Sequence, residues 1–143
     1  MARIKLVFPD KILFSTSLPV RITDVNYGGH VGNDALLSML HEVRVQFLQH
    51  LGAKMELDVF GTGIIMADVA IVYQAEGFYG DVFDIAVGVA DLGAAGFDLL
   101  YRISTLREGQ PVTIATAKTG IRCFDYSTRK VAKVPAALAA RLQ

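Results

Sequence analysis

The amino-acid sequence predicts an α+β fold: a long central apolar helix wrapped by an antiparallel β-sheet of about five strands. Three observations predict it. Apolar residues recur at helical spacing over one long segment, at Leu36, Leu40, Val43, Phe47 and Leu51. Beyond that segment the apolar residues alternate with a period of two. Turns rich in Gly and Pro separate the alternating runs at hairpin spacing, which selects antiparallel neighbours.

The elements follow in chain order. Met1–Phe8 reads as a short strand, and Val20–Thr23, just after Pro19, as another. The stretch from Asp24 to Asn33 is dense in turn formers, with Asn33 or Asp34 as helix N-cap. The helix runs to Leu51 and stops at Gly52. Leu37 and Leu48 widen its apolar stripe, and only Glu42 and Arg44 carry charge through its middle, so it is expected to be wrapped on most sides. Gly63–Tyr73 is an apolar strand with Asp68 at its centre. Val82–Leu92 alternates large residues (Phe83, Ile85, Val87) with small ones (Asp84, Ala86, Gly88), and the small face is expected to receive the helix. Gly93–Gly96 forms a hairpin turn into Phe97–Thr105. Glu108–Pro111 turns into the last strand, Val112–Phe124, where Gly120 is the expected bulge. Pro135 opens a short helix, Ala136–Leu142.

The 143 residues form one domain, 1–143, and a 52% apolar content with mean hydropathy +0.40 excludes a disordered or collagen-like chain. The apolar surplus points to a subunit interface. The formal net charge is zero, but residues 118–143 carry +5 and residues 1–117 carry −5. That balance argues against general nucleic-acid binding and leaves room for one local anion site. The single cysteine, Cys123, lies in an alternating apolar run and reads as a buried thiol. The basic N-terminal residues Arg3 and Lys5 are followed by Pro9, Asp10 and Lys11 with no continuous apolar core, so neither a leader nor a membrane span is expected. The expected location is the cytoplasm. No His/Cys/Asp/Glu group has metal-ligand spacing, so no metal is expected.

The segment Val20–Asn33, with Asp24, Asn26, Gly29, His30, Val31 and Asn33, resembles a known pattern when read with His41-Glu42-Val43-Arg44 and Phe47-Leu48. It resembles the hot-dog thioesterases, in the branch of acyl-CoA hydrolases like 4-hydroxybenzoyl-CoA thioesterase. Their usual form is Asp-x-Asp-x-x-Gly-His-Val-x-Asn followed by a helix with Glu-x-x-Arg. Tyr73, Gly80-Asp81 and the ending from Cys123 through Pro135 continue the likeness, so it covers nearly the whole chain. The resemblance implies hydrolysis of acyl-CoA or a related acyl thioester, with coenzyme A present only as part of the substrate and no separate cofactor. It also implies a homodimer or dimer of dimers, with sites at the subunit boundary. One departure matters. The family's second aspartate, its usual catalytic carboxylate, is Asn26 here, and an amide has no basic lone pair near neutral pH. It can still hold a water or a thioester carbonyl.

Candidate residues follow from that chemistry. Backbone N–H groups of Gly28 and Gly29, beside Tyr27 at the helix entrance, could polarise a carbonyl, or the loop is simply a tight turn. His30 reads either as a base or water-orienting group or as a helix cap. Asn33 reads as a cap or a substrate ligand. Glu42 is an acid on an apolar helix and Asp68 an acid in an apolar strand. Each is either the missing base or a solvated carboxylate. Arg129 and Lys130, with Lys133 nearby, either meet the coenzyme A phosphates or form a solvated segment. Two rivals to the hydrolase remain. Asp24-x-Asn26 with His30 is similar to the Asp/His pair of the hot-dog (R)-enoyl-CoA hydratases, and the chain could instead be a non-catalytic acyl-thioester binding protein.

Overall fold

The computed structural model describes residues 3–143. Its elements in order are β1 (Phe14–Pro19), a 3-10 turn (Ile22–Asp24), α1 (Asn33–Leu51), β2 (Gly63–Tyr73), β3 (Val82–Ala90), β4 (Gly96–Arg107), β5 (Gln110–Asp125), β6 (Lys130–Val131) and α2 (Ala136–Arg141). All described strand pairs are antiparallel, in the order β1-β3-β4-β5-β2, and the two-residue β6 pairs with β5. The expected α+β architecture, one long helix with an antiparallel sheet, is what forms.

The period-two alternation decides the faces. Phe83, Ile85 and Val87 of β3, Leu99, Tyr101 and Ile103 of β4, and Ala115 and Ala117 of β5 point to one side and are buried. They form a single core with Leu36, Leu40, Val43 and Phe47 of α1, which Leu138 and Leu142 join from the C-terminal end. Gly52 ends α1 at φ 105°, a left-handed conformation that glycine adopts without a Cβ penalty.

Five expectations are corrected. The first strand lies at Phe14–Pro19, before rather than after the proline. Its Pro19 pairs with Val82 at the strand's end, and Val20 begins the turn that leads into the loop. Met1 and Ala2 of the expected N-terminal strand lie outside the described residues. Residues 3–8 are not strand, and this segment runs over the outer face of the sheet. Phe8 lies under the Arg102 guanidinium at 4.8 Å, and a Cβ on Gly88 would come 2.5 Å from Pro9 Cγ. The small face of β3 therefore receives the N-terminal segment, while its large face meets the core. The register shifts lie on β2 between Met66 and Asp68, across from Ile121 and Gly120, and on β5 at Ile114, opposite Ile103 and Ser104, rather than at Gly120 itself. Finally, α1 buries one face and leaves the other exposed, including Leu37, Ser38, His41 and Glu42.

Candidate active site

The loop before α1 is held by its own backbone. Val25 and Val31 form an isolated bridge, the Asn26 N–H reaches the His30 carbonyl at 2.9 Å, and the Gly32 N–H reaches the Asp24 carbonyl at 3.0 Å. Gly29 makes the reversal at φ 83°. The Val31 N–H donates to Gly77 at 2.8 Å, tying the loop to the segment after β2. That segment is itself fixed. Gly80 turns at φ 95°, and the Asp81 carboxylate accepts from the Phe78 N–H at 2.9 Å and from Arg107 at 2.7 Å. The Gly80-Asp81 pair thus shapes the wall of the site without entering it.

Between loop and wall, at the amino end of α1, lies a cavity of about 430 Å³. His30, Asn33, Leu36, Tyr73, Glu76 and Ile114 are among its lining residues. Leu36 and Ile114 are buried and apolar, whereas His30, Asn33 and Tyr73 bring polar atoms. His30 Nδ1 lies 3.2 Å from the Val31 carbonyl, which only accepts, so Nδ1 carries a hydrogen and Nε2 is the ring atom left for another partner. Burial, and then the nearby Asp34 charge, raise the Tyr73 pKa above that of an ordinary phenol, so its hydroxyl is a donor at neutral pH.

The residue at the start of α1 changes one expectation. The N-cap is Gly32, not Asn33 or Asp34, and no side chain caps the helix. Its first N–H groups are therefore open to water or a ligand, at the positive end of the helix dipole. The N–H groups expected to play that part are engaged instead. Gly28 donates to Asn26 Oδ1 at 2.9 Å and Gly29 to the Asn26 carbonyl at 3.0 Å. Tyr27 projects fully into solvent from the same turn.

Within one chain, the two expected bases are not brought to this cavity. Glu42 is exposed and accepts from Gln46 Nε2 at 2.9 Å. It lines a second depression of about 520 Å³ on the other flank of α1, with Arg21, Asp24 and His41. Asp68 faces the outer side of the sheet, 3.1 Å from Lys118 Nζ. Asp24 is buried and accepts from the Arg21 N–H and guanidinium. Arg129 and Lys130 sit beyond the far end of β5. Lys130 pairs with Asp125, while the cavity meets β5 at Ile114, so about 35 Å of strand separates them.

Two features escaped the sequence reading. Asp34 lies in the first turn of α1, near enough to the cavity's Tyr73 for its charge to act on that phenol; its position next to Asn33 reads as capping chemistry, and the available signal was a glycine where a capping side chain is usual. The other is a buried ion pair. Arg44 Nε lies 3.0 Å from Glu56 Oε2, with His41 on the other carboxylate oxygen, and nearby Tyr101 and Thr119 share a buried hydrogen bond of 2.7 Å. Cys123 is buried as expected, and burial pushes its thiol pKa up, away from nucleophilic use. Among the described residues no group of side chains could hold a metal ion, and no helix is long and apolar enough to cross a membrane.

A family model described as the thioesterase-like superfamily matches residues 20–142. No curated protein matches the chain. Solved structures share its fold. A thioesterase superfamily protein from Jannaschia sp. is 18% identical, with TM-score 0.81, covering 94% of this chain and 83% of its own. A mutant 4-hydroxybenzoyl-CoA thioesterase complexed with 4-hydroxybenzoyl-CoA is 14% identical, with TM-score 0.83, covering 91% and 98%. A gentisyl-coenzyme A thioesterase is 16% identical, with TM-score 0.75, covering 91% and 100%.

Proposed function

The chain belongs to the thioesterase-like superfamily, and from that premise we propose that it hydrolyses acyl-CoA or a related acyl thioester in the cavity at the amino end of α1. The observation that carries the reading is the cavity itself, where an uncapped helix start and an apolar floor meet His30, Asn33 and Tyr73. Water adds to the thioester carbonyl, the carbonyl oxygen becomes an oxyanion, and the thiolate leaves. The first N–H groups of α1 and the Tyr73 hydroxyl are donors for that oxyanion; one such donor is worth about 100- to 1,000-fold in rate. The Asn26 amide and His30 Nε2 hold the water. Two of the similar structures are thioesterases of aryl-CoA compounds by name, which supports a CoA-linked substrate and needs no further cofactor.

The working unit in this proposal is a homodimer, alone or paired again, joined through β2. That strand is an edge with one side unpaired, and its helix-side residues Met66, Val69 and Tyr73 are 41%, 40% and 45% exposed. Tyr73 is both the end of β2 and a wall of the cavity, so a partner on this edge would border the site. The hydratase alternative needs Asp24 beside His30, and the Arg21 pairing of Asp24 does not support it.

Free-thiol release from a panel of straight-chain, branched and aryl-CoA thioesters tests the reading. Catalytic thiol release from at least one class is expected. Loss of enoyl absorbance without thiol release would establish the hydratase, and tight binding with neither signal would establish the binding protein.

A further inference from the structure

We propose that Asp34 is the general base of this hydrolysis, taking a proton from the attacking water in a gap that it shares with the Asn26 amide. The inference rests on the hydrolase reading. Hydrolysis needs a proton acceptor beside the water, and the acids that stand out in the sequence, Glu42 and Asp68, are engaged elsewhere in the chain. Asp34, in the first turn of α1, folds back towards the loop. A Cβ placed on Gly32 would lie 2.6 Å from Asp34 Oδ1 and 3.8 Å from Asn26 Nδ2, so both polar atoms flank one point. Gly32 is buried there with φ −74°, a conformation open to any residue, and helix N-caps favour Ser, Thr, Asp or Asn. Its lack of a side chain has a spatial consequence: it leaves Asp34 its position.

The Asn26 amide is oriented by the same loop. Its Oδ1 accepts from the Gly28 N–H, which directs the Nδ2 donor towards Gly32 and Asp34. A water there would donate one hydrogen to the Asp34 carboxylate while its oxygen accepts from Asn26 Nδ2. Asp34 follows the cavity-lining Asn33 in the first turn of α1, and Tyr73, on the cavity wall, is close enough to feel its charge. The step balances. The water oxygen bonds to the carbonyl carbon as its proton passes to Asp34. The C–S bond then breaks with its electron pair on sulfur, and the Asp34 proton passes to that thiolate. Acid and free thiol result, and the base is regenerated.

The test uses the full chain and whichever acyl-CoA thioester the wild type cleaves best. Asp34→Asn is expected to lower kcat at least 100-fold with KM and Tm little changed, and Asp34→Glu to recover part of the rate. Gly32→Ala is expected to displace the carboxylate, lowering kcat at least 10-fold in a folded protein. It carries the test should Asp34→Asn melt early. Asp34→Asn activity within threefold of an active wild type overturns the inference and leaves the hydrolase reading intact. In that case a dead His30→Ala assigns the base to His30. A wild type that releases no thiol from any thioester overturns both.

Discussion

Arg44 is a full charge buried within the chain, its side chain only 5% exposed. It lies four residues after Leu40 and four before Leu48, inside the stripe that meets the core, whereas Glu42 falls on the opposite face. The helical phase that identifies Leu40, Val43 and Phe47 as core therefore also places Arg44 inside and Glu42 outside. Of the two readings of Glu42, base or solvated carboxylate, its helical phase favours the solvated one. The partner of Arg44, Glu56, lies beyond the helix in an irregular segment, and no periodicity could announce it. Burial alone would raise the Glu56 pKa. Hydrogen bonds and charges from Arg44 and His41 outweigh that, and the carboxyl sits below its ordinary value. A carboxyl depressed in the folded state stabilises fully above its unfolded pKa, and the contribution fades as pH falls through the folded value. Glu56→Gln is thus expected to cost about 2 kcal/mol at neutral pH, below the roughly 3–5 kcal/mol of a fully buried broken pair because Glu56 keeps partial exposure. The gap between variant and wild type in urea melts should narrow as the pH drops into the acid range. A gap that stays constant with pH would show that the Arg44 contact does not depend on the Glu56 charge.

Elements were more legible than side-chain partners, because periodicity reports a face without reporting what covers it. The alternation in β3, β4 and β5 located those strands, and their large side chains do form the core. What the pattern left open was which body lies on each face, and the small face of β3 meets Pro9 rather than α1. β1 was misplaced because an apolar run broken by Pro19 fits a strand on either side of it, and only pairing with β3 decides. The same limit applies to β2. Its apolar run reads as a strand without saying what covers it, and within the chain its outer edge has no strand beside it and Met66, Val69 and Tyr73 are exposed. Apolar side chains along an open edge fit a subunit contact. Val69→Lys puts a charge at the middle of that edge, on a residue already 40% exposed, so the fold itself should tolerate it. Sedimentation velocity is expected to show an oligomer for the wild type and a monomer for Val69→Lys, with circular dichroism unchanged. An unaltered oligomer would move the interface away from β2.

At the scale of the whole molecule, the zero net charge is a −5 body joined to a +5 end; Lys118 of that end pairs with Asp68 of the body, while its later cations lie away from the cavity. Arg129, Lys130 and Lys133 follow β5 at the end of the sheet where β2 begins, near Gly63, while the cavity lies where β2 finishes, near Tyr73. One chain cannot bring its own basic end to its own cavity across about 35 Å of strand. A two-fold pairing of β2 edges reverses one strand against the other, so the Gly63 end of the partner would adjoin the Tyr73 end of this chain. The proposed dimer thereby gives the basic segment a role that the monomer denies it: phosphates of a coenzyme A substrate in one cavity would meet the partner's cations. Charges at a solvent-exposed phosphate subsite act on binding more than on chemistry. Arg129→Glu with Lys130→Glu is therefore expected to raise KM about tenfold for the CoA thioester and leave kcat near wild type, an effect that weakens in high salt. The same acyl group on N-acetylcysteamine, which lacks the nucleotide phosphates, should show no change in KM. Equal losses on both substrates would place the basic segment in the fold or the acyl pocket instead. Loss of the phosphate effect in Val69→Lys as well would show that the cations reach the substrate only across the subunit boundary.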